Sequence, residues 1–133
     1  MYRPPNSNTL YYEQMIDALE KANSEERDIL VMGDLNYNYK IDETLRNNPI
    51  YLIEILFSMK QMIDKPTRVT QATSSLIDIL LSSNPDSHIK TGVFEYGLSD
   101  HYVIYTLFDT SHQLRKHKEC RFRNYNKFNT VDV

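Results

Sequence analysis

Hydrophobic and polar positions alternate in blocks along the chain, and the block periods change from helical to extended. Tyr12, Met15, Ile16 and Leu19 fall at i, i+3, i+4 and i+7, one face of a helix. The polar cluster Asn6-Ser7-Asn8-Thr9 suits its start, so a helix is predicted from about Thr9 to Ala22. A polar loop, Asn23 to Arg27, follows. Ile29-Leu30-Val31-Met32 is an unbroken apolar run and predicts a short strand buried on both faces, ended by Gly33. Tyr37 to Asn47 is polar and predicts a loop. Asn48-Pro49 has cap and first-turn chemistry and predicts a second helix over Ile50–Met59.

Extended patterns dominate the rest. Gln61–Asp64 predicts a short strand stopped by Pro66, and Thr67–Thr70 alternates in a β-like way. Leu76–Leu81 is a further apolar strand, and Asn84-Pro85 marks a turn within 82–87. Ile89–Tyr96 and Tyr102–Phe108 predict two more strands around Gly97-Leu98-Ser99-Asp100-His101. About five strands with two helices in the first half give a mixed α/β (α+β) class. The segment from His112 to Val133 has little periodicity and predicts a linker or tail, so the chain divides into a domain at 1–110 and a basic tail at 111–133.

Composition narrows the picture. The 133 residues are 41% hydrophobic and 25% charged, enough for one globular domain with a core. No apolar run approaches the roughly 20 residues of a membrane span. Met1-Tyr2-Arg3-Pro4-Pro5 lacks the apolar stretch of a signal peptide. Cys120 is the only cysteine, which excludes an internal disulfide and a cysteine-based zinc site. An intracellular setting is expected. The net charge of −3 is uneven: residues 112–133 hold six basic against two acidic residues, and residues 1–111 hold nine against sixteen. A basic tail attracts phosphate, whereas an acidic body repels nucleic acid unless divalent cations intervene.

Three acidic motifs carry the candidate chemistry. Asp34 and Asn36 lie two apart after the first strand, so an extended chain would point both side chains the same way; Asp and Asn after Gly also suit a turn. Asp78 interrupts an apolar strand, where it is either paired in the interior or facing water on an edge. Asp100-His101 lies between two strands, and adjacent residues on an extended chain point apart, so His101 has Asp78 as an alternative partner. Carboxylates without cysteines suit a hard cation such as Mg²⁺, with Mn²⁺ a substitute, bridging to substrate phosphate. Cleavage of a phosphodiester needs an activated water and neutralised phosphoryl oxygens, chemistry that Asp34, Asn36, His101 and a metal can supply.

Taken in order, Tyr2-Arg3-Pro4-Pro5-Asn6, Met32-Gly33-Asp34-Leu35-Asn36, Lys65-Pro66-Thr67-Arg68, Ser75-Leu76-Ile77-Asp78 and Gly97-Leu98-Ser99-Asp100-His101 resemble the endonuclease/exonuclease/phosphatase superfamily, most closely the endonuclease domain of non-LTR retrotransposons. The resemblance covers roughly residues 1–108. It implies the C-terminal half of a two-sheet β-sandwich flanked by outer helices. It further implies that Asp34 orients or deprotonates the attacking water and that Asn36 and Tyr2 hold the scissile phosphate. Asp78 would orient His101, His101 would stabilise the phosphoryl oxygens or act as base, and Asp100 would lie at the metal site.

The implied activity is Mg²⁺-dependent cutting of double-stranded DNA, with a nuclear location and a reverse transcriptase domain downstream in full-length relatives. The family's early Asn and main metal-binding Glu belong to the N-terminal half, which this sequence does not match. The expectation is therefore a truncated domain, inactive alone. Two other readings stand beside it: a phosphatase or phosphodiesterase acting on small phosphorylated substrates, and a non-catalytic nucleic-acid-binding remnant.

Overall fold

The computed structural model describes residues 1–5, 10–39, 48–96 and 99–109. The polar start at residues 6–9, most of the expected loop before Asn48, Gly97-Leu98 and the basic tail lie outside them. The class is mixed α/β, as expected, with seven strands in antiparallel sheets and two α-helices among the described residues.

Helix α1 (Leu10–Asn23) forms where the apolar spacing predicts it and buries Met15 and Leu19. Glu13 in its first turn and Lys21 in its last complement the helix dipole. Helix α2 (Pro49–Leu56) is capped by Asn48, whose Oδ1 accepts a 2.9 Å bond from the Ile50 N–H. It stops three residues before the predicted end. Ser58 adopts a left-handed φ of 50°, and the Met59 N–H reaches back 2.9 Å to the Glu54 carbonyl. That six-residue closure is a Schellman ending, here built on Ser rather than the usual Gly.

The main sheet has the order β1 (Leu30–Asp34), β5 (Asp78–Ser82) and β2 (Lys60–Gln61). Two hairpins complete the fold: β3 (Arg68–Val69) with β4 (Ser74–Ser75), and β6 (His88–Phe94) with β7 (Val103–Phe108). Central β5 is apolar without alternation because both its faces are covered. Ile79, Leu80 and Leu81 join one cluster with Met15 and Leu19 of α1 and Ile50 and Ile53 of α2, and Val93 and Ile104 of the β6–β7 hairpin pack against it.

Strand β1 differs from the expectation of burial on both faces. It lies at the sheet edge with only Val31 buried, because an apolar run alone does not distinguish an edge strand from a central one. Its register with β5 places Asp34 directly opposite Asp78.

Candidate active site

The site lies at the end of the β1–β5 ladder. Gly33 has a φ of 146°, and a Cβ there would sit 1.7 Å from the Met1 carbonyl oxygen. Only glycine allows the first residues of the chain to lie this close to β1. Tyr2 then bridges Asp34 in parallel, and the Arg3 N–H donates to the Asp34 carbonyl at 2.8 Å.

Asp34 and Asn36 do come together, but through a turn. Asn36 has a left-handed φ of 46°, and its N–H donates to Asp34 Oδ1 at 2.7 Å. The Asn36 amide donates to Asp34 Oδ2 at 3.3 Å and to the Arg3 carbonyl at 2.9 Å. Arg3 secures this turn from below. Its guanidinium is buried, donates to the Leu35 and Asn36 carbonyls at 3.2 and 3.4 Å, and lies 5.2 Å from the Tyr12 ring centre.

Asp78 is set by Thr67. This residue is 0% exposed, and its hydroxyl accepts the N–H groups of Ile77 and Asp78 at 3.2 and 2.9 Å. The Thr67 carbonyl also accepts from the Tyr102 N–H at 2.7 Å, joining the loop that carries His101 to the start of β5. His101 Nδ1 lies 3.0 Å from Asp78 Oδ2. With the proton on Nδ1, the imidazole donates to Asp78 and leaves Nε2 as an acceptor.

Asp34, Asp78 and His101, all half-buried, thus bring ligand atoms within 4.8 Å of one another from three distant segments. Two carboxylates meeting across a ladder repel. A hard divalent cation would satisfy both, so the donor set fits one.

The other expected residues stand around this trio. Tyr2 is 61% exposed, and its backbone carbonyl accepts a bond from the Tyr11 hydroxyl. Asp100 is outside the trio: its carboxylate accepts a 2.7 Å bond from Arg68 Nε. That bond holds the Asp100 carboxyl below the usual carboxylate range and raises Arg68. Reading the residues one at a time assigned no role to Arg3, Thr67 or Arg68. Their only signal was membership of the Tyr2-Arg3-Pro4-Pro5 and Lys65-Pro66-Thr67-Arg68 motifs.

A family model described as endonuclease-reverse transcriptase matches residues 1–105, which takes in every element up to β7. No curated protein and no solved structure matches the chain.

Proposed function

The chain belongs to the endonuclease-reverse transcriptase family, and from that premise we propose that it cuts the phosphodiester backbone of double-stranded DNA with a divalent metal, Mg²⁺ or Mn²⁺. The single observation that carries the reading is the convergence of Asp34, Asp78 and His101. Asp34 and Asp78 would hold the ion, which supplies charge neutralisation on the phosphoryl oxygens. Asp34 also faces the Asn36 amide, so a water bound there has a carboxylate to take its proton.

Asp78 keeps the His101 ring oriented; the neutral ring offers Nε2 to the water's proton as an acceptor, and the doubly protonated ring offers Nε2–H to the phosphoryl oxygens as a donor. The Asn36 amide and the Tyr2 phenol are the phosphate-positioning groups. Asn36 gives up its bond to Asp34 Oδ2, the longer of its two, when it does so. Asp100, expected at the metal site, pairs with Arg68 beside the trio. A chromosomal duplex as substrate implies action in the nucleus, and a reverse transcriptase domain alongside in relatives fits the family's description.

Nicking of supercoiled plasmid tests the proposal. Conversion to the open circle should require Mg²⁺ or Mn²⁺ and should fall at least a hundredfold in Asp34→Ala and His101→Ala, the usual cost of losing a general acid–base group. Nicking that survives both substitutions would show that the cut is made elsewhere. No nicking by the wild type under either metal would favour the expectation that the chain is inactive alone, and duplex binding in that case would favour the non-catalytic reading.

A further inference from the structure

We propose that Arg68 is a substrate contact, gripping a phosphate of the nucleic-acid backbone beside the catalytic trio, and that Asp100 is the residue that holds it in position. The inference rests on the nuclease reading above and adds a residue to it. A polyanion approaching Asp34, Asp78 and Asp100 meets three carboxylates, and a cation must offset them at the point of contact. Arg68 is placed for this: its backbone bridges His101 of the trio, and its Nε lies 2.7 Å from Asp100 Oδ2.

Its backbone is fixed on several sides. Arg68 pairs with Ser75 in the β3–β4 hairpin and bridges His101, and the next N–H, of Val69, donates to the Asp100 carbonyl at 2.9 Å. The side chain is fixed at one atom only. Among the described residues its hydrogen bond is the one from Nε to Asp100, and the side chains of the pair are 43% and 42% exposed. A pair this exposed contributes little to stability. Its consequence is geometric: Nε is occupied, and the two Nη groups, which make no hydrogen bond among the described residues, remain as a planar fork that matches two phosphate oxygens.

The salt dependence of binding tests this, with a short fluorescent DNA duplex in calcium buffer as the probe. Each phosphate neutralised contributes about 0.9 to the slope of log K against log salt. Arg68→Gln should lower that slope by about one and weaken binding about tenfold at roughly 0.1 M salt. Asp100→Ala keeps the cation but frees Nε, so it should keep the slope while weakening binding.

If the pair were only a structural tie, both substitutions would weaken binding with the slope unchanged, and that result overturns the proposal. Unchanged binding by Arg68→Gln overturns it too and leaves the nuclease reading standing. A wild-type chain that retains no duplex overturns both.

Discussion

At the scale of the residue, Asp34 and Asp78 face each other across the β1–β5 ladder, and the surrounding groups are those that like charges in close register require. Asn36 donates to one carboxylate, and His101 lies in hydrogen-bonding contact with the other. Asp100 is handled separately by Arg68, and this has a pH signature. The hydrogen bond and charge of Arg68 favour the ionised carboxyl, so Asp100 protonates at lower pH than an ordinary aspartate. The sign follows: the contribution of the pair is complete at and above the ordinary carboxyl pKa and is lost only as pH falls through the depressed one. Carboxyl-detected NMR titration should place Asp100 below the ordinary range in the wild type and return it upward in Arg68→Gln. A midpoint that does not move would mean that Arg68 is not the cause. The identities of these residues were legible in the sequence. That Thr67 has a buried hydroxyl serving two backbone N–H groups was not, since burial of a threonine has no local pattern.

At the scale of the element, local chemistry was the better guide. Helix α1 and the Asn48 cap of α2 follow from spacing and cap residues, which act within a few positions. The early end of α2 at Ser58 escaped because a left-handed serine is not a standard stop signal. The edge position of β1 escaped because strand order depends on partners far along the chain. Gly33 is where an element and the site meet. Gly33→Ala would place a methyl into the Met1 carbonyl at a φ that alanine disfavours. The expected result is loss of the Tyr2–Asp34 bridge: hydrogen exchange at the Arg3 N–H should rise by orders of magnitude, and plasmid nicking should fall with it. Retained protection at Arg3 would show that the first residues are held by other contacts.

At the scale of the whole molecule, the facing carboxylates oppose stability and a bound metal would relieve them. Neutralising one member of the cross-ladder pair should stabilise the metal-free protein by about 0.5 kcal/mol. At pH 8, Asp78→Asn should therefore melt slightly above wild type without metal. Mg²⁺ or Mn²⁺ at about ten times its dissociation constant should add about 1.4 kcal/mol to the wild type and little to the variant. Equal metal-induced shifts in both, read by differential scanning calorimetry, would place the ion elsewhere.

The same scale separates what the sequence determined from what tertiary structure decided. Periodicity and cap chemistry are short-range, so the sequence by itself determined the helices, most strand positions and the mixed α/β class. The motifs in their order determined the family and named Asp34, Asn36, Asp78, Asp100 and His101. Tertiary structure decided which of these meet. Register set Asp34 against Asp78, Thr67 brought the His101 loop to β5, and Arg68 paired with Asp100. These depend on contacts between segments from ten to more than forty residues apart, and no spacing along the chain encodes which of them meet.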